Sequence, residues 1–528
     1  MQAQSREPVP TPLECDVLVV GGGINGAGIA RDAAGRGLSV VLCEQHDLAA
    51  HTSSSSSKLI HGGLRYLEHY EFGLVRKALI EREVLLRSAP HIMWPLRFVM
   101  PHAKGQRPAW LIRLGMFLYD HLARRELLPG SRGLDLRRHA AGAPLKAEFT
   151  RGFVYSDGWV DDARLVVLNA MAAAEKGARI HTRTRCESLV RQGQQWQATL
   201  RQADGHAVQV RARCVVNAAG PWVAQFLGET AHVRSGKSVR LVKGSHIVVK
   251  RLFEHDHAYI FQNPDGRIVF AIPYERDFTL IGTTDVEYRG DSAKVAISDE
   301  EIGYLCALSN RYFSKPIAPA DVLWSYAGVR PLLEDAAADA SAVTRDYQLD
   351  LNRDGAPLLS VFGGKITTFR KLAEEAVDMI APVLGNSRGS WTADACLPGG
   401  DLFAPTPQNR SVREFDGFVH DLQQQYAWLP PQLLQRYARA YGSRAHALLK
   451  GKSKLEEMGE EIFAGLYAAE VDYLLRHEWA TCAADILWRR SKLGLHFPKG
   501  SEAVLDAWLA ARGQRSVELL PEAQAASR

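Results

Sequence analysis

The first patterned stretch of the chain is DVLVV, residues 16–20, a short, largely apolar run of the kind a buried parallel strand shows. Small, helix-compatible residues follow from Ile24 to Arg36, and a second apolar run, Leu38 to Cys43, finishes at Glu44. This predicts strand, helix and strand of a parallel sheet. Leu74, Ala78 and Leu85, set among alternating charges, predict a helix over 70–90. Trp110, Leu111, Leu114, Phe117, Leu118 and Leu122 predict another over 108–125. Ile112, Met116 and Tyr119 carry its apolar surface round much of the circumference, so the expectation is a buried helix. The alternative is a helix lying on lipid, with Arg107, Arg113, Arg124 and Arg125 suited to anionic headgroups.

Past residue 150 a second α/β portion is expected. Asp161-Asp162-Ala163 precedes an apolar helix reaching about Lys176, and an aspartate there suits the N-cap. Arg179 to Val190, Trp196 to Arg201 and Ala207 to Val210 read as strands; CVVNAAG, 214–220, reads as a further strand running into small residues. From 240 to 290 the pattern turns antiparallel, with strands at Ser245 to Val249, Tyr259 to Gln262, Arg267 to Ile272 and Phe278 to Ile281. Asn263-Pro264-Asp265-Gly266 is its hairpin turn. Gly282-Thr283-Thr284-Asp285 ends the last strand, equally as a turn or as a ligand contact. Trp324 to Pro331 and Leu358 to Lys371 return to βα character. In the second, a strand runs through Gly363-Gly364 into a helix starting near Thr367. LPGG, 397–400, and the prolines after it mark a boundary. Residues 411–528 read as mainly helical, with Val471, Leu475, Trp479, Cys482 and Ile486 as one buried stripe and a packing or dimerising role.

Composition narrows the classes. The chain is 46% hydrophobic and 23% charged with a net charge of +5, ordinary for a soluble globular protein of two or three domains. The mild basicity suits anionic substrates or lipid, but no basic run interleaved with aromatics argues for nucleic acid. The seven cysteines (Cys15, Cys43, Cys186, Cys214, Cys306, Cys396 and Cys482) are scattered and form no C-x-x-C, so a reducing compartment and no metal site are expected. No run of about 18 apolar residues is present to span a bilayer. Residues 1–13 read as a disordered leader.

The chemistry starts at Gly21, Gly23 and Gly26, G-x-G-x-x-G placed directly between strand and helix. The first glycine permits the tight turn, the second lets backbone approach a pyrophosphate, and the third lets helix and strand pack closely. The helix start, through Ile24 and Asn25, offers N–H groups and a positive dipole end to phosphate. Glu44 falls about 20 residues on, where an acid accepts hydrogen bonds from a ribose. A dinucleotide site follows. The loop TSSSSSKLIHGGLRY, 52–66, then mixes Ser54, Ser55, Ser56, Ser57 and Lys58 with His61 and Arg65, which favours a loop wrapped round a polar ligand over a flexible linker. Gly220 and Gly363-Gly364 are further places where backbone can approach the same ligand.

The stretches GGGINGAGIARDAAGRGLSV, TSSSSSKLIHGGLRYLEHYEF, YSDGWVDDARL, VNAAGPW, LVKGSHIVV, IGTTDVEY, GVRPL, TRDY and FGGKITTFRKLAE together resemble the FAD-dependent, membrane-associated aerobic glycerol-3-phosphate dehydrogenases. The LPGG, HEW and LWRR segments extend the similarity into the C-terminal part. The resemblance implies an α/β two-dinucleotide-binding-domain flavoprotein. A discontinuous FAD domain (14–75, 150–240 and 325–395) would carry a mainly antiparallel β substrate or cap domain (76–149 and 241–324), followed by a C-terminal helical domain (400–528). It implies oxidation of sn-glycerol 3-phosphate to dihydroxyacetone phosphate, with electrons passing through FAD to a ubiquinone or menaquinone. It also implies a monotopic protein on the cytoplasmic face of the membrane, with a homodimer open. FAD would run from Glu44 at the adenosine ribose, past Gly21 to Gly28 at the pyrophosphate, to a flavin near Ser54 to Lys58 and Gly363 to Thr367, Ile366 included. Arg65, Arg330 and Lys365 carry over as phosphate-binding cations, with Tyr66 and Thr367 as further substrate contacts. His61 suits the base that takes the C2 hydroxyl proton. The runners-up are a glycerol-3-phosphate oxidase, an amine or amino-acid oxidase of the same fold, and a redox-silent flavin-binding protein.

Overall fold

A computed structural model describes residues 12–103, 106–263, 265–333 and 346–518. The run DVLVV lies inside an eight-stranded sheet. Its strand, Leu13–Val20, pairs in parallel with Ala207–Asn217 on one side and Val40–Cys43 on the other, Val20 standing opposite both Asn217 and Cys43. Arg179–His181 extends the sheet beyond Val40–Cys43, while Leu358–Phe362 and an antiparallel Gln348–Asn352 extend the other side. Successive side chains of a strand face opposite ways. Val17 and Val19 therefore join Val40 and Leu42 in a core shared with the helices Ile24–Gly35, Asp162–Glu175 and Phe369–Ile380. Leu18 and Val20 face Trp196 and Leu200 from the antiparallel meander Thr184–Gln192 and Gln195–Gln202. Each such side chain contributes roughly 1.5–3 kcal/mol, so no position from Val17 to Val20 tolerates a polar residue. Asp161 caps the helix Asp162–Glu175 as expected, accepting from the Arg164 N–H at 3.3 Å.

Ala207–Asn217 is one strand where the pattern suggested two. Arg211 and Arg213, which interrupt its apolar run, lie at the surface and pair with Glu14 and Asp16 at 3.3 and 2.8 Å. The strand changes partner midway: it is antiparallel to Gln195–Gln202 up to Ala212 and parallel to Leu358–Phe362 from Val215.

A second sheet of ten strands forms the roof. Its centre is Val239–Lys250, flanked by Phe278–Gly282, and the hairpin strands Ala258–Gln262 and Ile268–Tyr274 follow as expected. Pro264 of the turn lies outside the described residues. Two strands depart from the sequence expectation. Arg151–Val160 pairs with Met93–His102, and Val322–Leu333 pairs with Val239–Lys250; both belong to this roof and not to the dinucleotide-binding sheet. The boundary drawn at 325 therefore falls inside a roof strand, and the one drawn at 150 lies directly before another. The GVRP segment reads locally like a strand-to-helix turn, but its partner strand lies far back in the chain, where no local pattern points.

The helix Ala109–His121 is also corrected. It buries Met116, Tyr119 and Asp120 against the roof and leaves Trp110, Leu111, Leu114, Phe117 and Leu118 exposed, Trp110 by 68%. Its apolar circumference is wider than the surface available to cover it. Among the described residues no helix is long and apolar enough to cross a membrane.

The C-terminal portion has its own core, built on Phe415–Gln425, Pro431–Tyr441 and Ala468–His477. The predicted stripe is not one helix. That helix ends at His477, Trp479 takes a φ of +54° and packs toward the first domain, and Ile486 returns to the C-terminal core.

Candidate active site

Where Leu13–Val20 meets its helix, the backbone closes tightly. Gly21 has a φ of +112°, and a Cβ there would stand 2.5 Å from the Ala218 oxygen. A Cβ on Gly26 would meet the Gly21 oxygen at 1.9 Å. Gly26 thus serves the helix–strand packing and does not line the cavity. Above this turn opens a cavity of about 560 Å³, lined by Gly21, Gly23, Ile24, Asn25, Glu44, Gly220, Gly363 and Gly364 among others. It is a glycine-rich trough at a helix N-terminus and fits an extended dinucleotide. The two glycine loops are tied together: Asn25 Nδ2 donates to the Gly363 oxygen at 3.1 Å, and a Cβ on Gly364 would lie 2.8 Å from that same amide nitrogen. Glu44 accepts from the Gly22 N–H at 2.7 Å and the His46 N–H at 2.8 Å. Burial raises its proton affinity, and those two hydrogen bonds oppose the rise.

The serine loop divides. Thr52 and Ser53, which the sequence reading passed over, line the cavity, and Ser53 Oγ accepts the Ile24 N–H at 3.0 Å. The predicted Ser54, Ser55, Ser56, Ser57 and Lys58 do not line it. Ser54 and Ser55 bond back to the His51 oxygen. Ser56 donates to Asp162 at 2.7 Å, and Ser57 Oγ sits 2.9 Å from His246 Nε2. Lys58, 1% exposed, gives its ammonium to Asp162 at 2.9 Å and to the Ser54 oxygen at 3.0 Å. Their geometry is that of an anchor. Ile366 and Thr367 likewise lie outside the cavity lining.

Beside the cavity a second constellation forms. The His61 N–H donates to Thr367 Oγ1 at 3.2 Å. The Lys365 ammonium stands 3.8 Å from the Tyr66 ring centroid. Arg330, opposite Val242 in the roof, donates to Asp285 at 2.6 Å. Burial holds the His61 imidazole below its usual proton affinity; Asp157 opposes this, and Lys365, Arg330 and Arg82 add to it. The His61 bond to Thr367, two residues from Lys365, and the seat of Lys365 over Tyr66 bring the two loops together. Arg65 is half-buried on the same turn as His61.

Sequence reading missed four residues here. Asp285 orients Arg330, and its only signal was the ambiguous GTTD turn. His246 stacks on Tyr326 at 4.8 Å, and burial with the neighbouring Lys58 and Arg330 pushes its proton affinity well down. Tyr119 and Asp157, both buried, reach the turn after His61 from behind. The C-terminal portion also reaches the cavity rim: Arg490 donates to Asp47 at 2.8 Å and Arg183 to Asp485 at 2.7 Å, each close in sequence to residues of the lining.

Fold and cavity define a flavoprotein class. Residues 16–370 match the family model described as FAD dependent oxidoreductase, and residues 390–514 match the C-terminal domain of alpha-glycerophosphate oxidase. A glycerol-3-phosphate dehydrogenase of Pseudomonas aeruginosa is 58% identical over 96% of this chain and 97% of its own length. D-erythritol 1-phosphate dehydrogenase of Brucella abortus is 52% identical over 94% of this chain and 98% of its own. The structure of glycerol-3-phosphate dehydrogenase from Bacillus halodurans complexed with FAD superposes with a TM-score of 0.76 at 27% identity, covering 96% of this chain and 94% of that one. The chain belongs to the FAD-dependent glycerol-3-phosphate dehydrogenase family. Its cofactor is FAD, and the glycine-lined trough is shaped for it.

Proposed function

We propose that this enzyme oxidises sn-glycerol 3-phosphate at C2 to dihydroxyacetone phosphate and passes the electrons to a membrane quinone. The observation that carries the reading is the placing of Lys365 over Tyr66, of Arg330 on Asp285 and of a half-buried His61 bonded to Thr367 beside the FAD cavity. A phosphate dianion in a partly dehydrated site requires such matched cations. Arg330, aimed by Asp285, Lys365, propped on Tyr66, and Arg65 hold the phosphate. His61, kept neutral by burial, takes the C2 hydroxyl proton as the C2 hydrogen leaves with its electron pair. FAD supplies the hydride acceptor when bound. Glu44, Gly21, Gly23, Ile24, Asn25 and Gly363-Gly364 hold the cofactor.

The test is an anaerobic titration of the purified flavoprotein with sn-glycerol 3-phosphate. Bleaching of the oxidised flavin bands is expected, and a spectrum indifferent to this substrate would discard the reaction. A second reading, a longer polyol phosphate, draws on the Brucella relative; comparing kcat/KM for glycerol 3-phosphate and erythritol 1-phosphate decides between them. Quinone reduction measured against peroxide release separates dehydrogenase from oxidase. The exposed apolar row of Ala109–His121 supports peripheral contact with the inner face of the cytoplasmic membrane. Cosedimentation with anionic vesicles tests this, and its absence would remove the membrane assignment.

A further inference from the structure

The turn that carries His61 is held from two directions. On one side its N–H meets Thr367 Oγ1. On the other, the Gly62 N–H donates to Tyr119 Oη at 2.8 Å and, more weakly, to Asp157 Oδ1 at 3.3 Å. The Tyr119 hydroxyl donates to the same Asp157 oxygen at 2.7 Å, and Arg82 Nη1 donates to it at 2.6 Å. Arg82 also reaches the Ser156 oxygen at 3.0 Å. These side chains are sealed from solvent, Tyr119 and Asp157 each 2% exposed and Arg82 1%.

The fit is close. A Cβ on residue 62 would stand 2.6 Å from Tyr119 Oη and 2.5 Å from Leu79 Cδ2, so the tyrosine hydroxyl can reach this N–H because residue 62 is glycine. A buried carboxylate needs a matched cation, and Arg82 provides it. Tyr119 is not needed for that charge balance. Its hydroxyl joins the buried ion pair to the turn, so its place is explained by the turn it holds. The contributing segments are separate: Arg82 lies on the helix Phe72–Ser88, Tyr119 on Ala109–His121 and Asp157 on the strand Arg151–Val160.

We propose that Tyr119 and Asp157 are positioning residues for the reaction, fixing the His61–Gly62 turn so that the imidazole meets the C2 hydroxyl. The inference rests on the reading of His61 as base. Asp157 has a second effect. The charged groups acting on His61 are Asp157, Lys365, Arg330 and Arg82; Asp157 is the carboxylate that opposes burial and the three cations. Removing its charge should therefore lower the proton affinity of His61 further.

The experiment is stopped-flow flavin reduction by sn-glycerol 3-phosphate in the intact holoenzyme. Tyr119→Phe deletes one oxygen and leaves the Asp157–Arg82 pair in place. FAD content and the apparent Kd for substrate should stay near wild type, while the limiting rate constant falls about fivefold or more. Asp157→Asn keeps the shape and removes the charge. The acid limb of that rate constant should then move to lower pH by about half a unit or more, a shift that a simple loss of stability does not produce. A wild-type limiting rate in Tyr119→Phe, or an unmoved limb in folded Asp157→Asn, overturns the proposal. If Asp157→Asn does not fold, because Arg82 loses its carboxylate, Tyr119→Phe decides alone. His61→Asn run in parallel keeps the two readings apart. A wild-type rate in His61→Asn removes the base assignment, whereas a slow His61→Asn beside a wild-type Tyr119→Phe removes the positioning role and leaves the base.

Discussion

The two halves of the site are made of different material. The cofactor trough is largely backbone: Gly21, Gly23, Gly220, Gly363 and Gly364 bring main chain close to where the dinucleotide lies, and Glu44 holds the turn by accepting two N–H groups. The substrate side is made of side chains, with His61, Arg330 and Lys365 arriving from a loop, a roof strand and a second glycine turn. A backbone site depends on the absence of atoms, so it is written in spacing along one segment. A side-chain site depends on charges meeting across segments, so it exists once the sheets have packed.

The comparison can be broken most forcefully on the backbone side. Gly26→Val should abolish FAD retention, because a Cβ already lies 1.9 Å from the Gly21 oxygen. Flavin absorbance per mole of purified protein measures this, and a stoichiometrically yellow variant would contradict the packing argument. On the side-chain side His61→Asn should keep its flavin but slow anaerobic reduction roughly 10²- to 10⁴-fold, the usual span for a lost general base. Arg330→Ala should also keep its flavin and weaken glycerol 3-phosphate binding by roughly 1.5–3 kcal/mol, or about ten- to a hundredfold in KM, with Arg330→Lys recovering part. If either substitution emptied the cofactor cavity instead, the two halves would not be separable.

The smallest expected effect is on pH. A base must be neutral to act, and burial with the nearby cations holds the His61 pKa below its usual 6.5. Flavin reduction should therefore be level through neutral pH and decline once the pH falls below that lowered pKa. A midpoint at or above 6.5 would show that another group is the base.

The same division explains what could be read from residues alone. Gly21, Gly23, Gly26 and Glu44 were legible because strand, turn, helix and acid follow one another within one unit. Lys58, expected as a cofactor contact, lies outside the cavity lining. Its partner, Asp162, lies on a helix far along the chain, and their buried pair with Ser56 anchors the serine loop. The placement of Val322–Leu333 in the roof was hidden for the same reason, since strand pairing over that separation leaves no local period. The helix Ala109–His121 gave the opposite error. Its apolar positions were visible, but how much of them the roof would cover was not.

By itself the sequence determined the strand–glycine–helix unit and the FAD class, because each is a property of short segments or of motif content. The tertiary structure decided which serines touch the cavity, which charges aim Arg330 and depress His61, and that Tyr119 reaches Gly62 from a separate helix. Those outcomes depend on distances between segments far apart in the chain, which packing of the two sheets sets and no local spacing encodes.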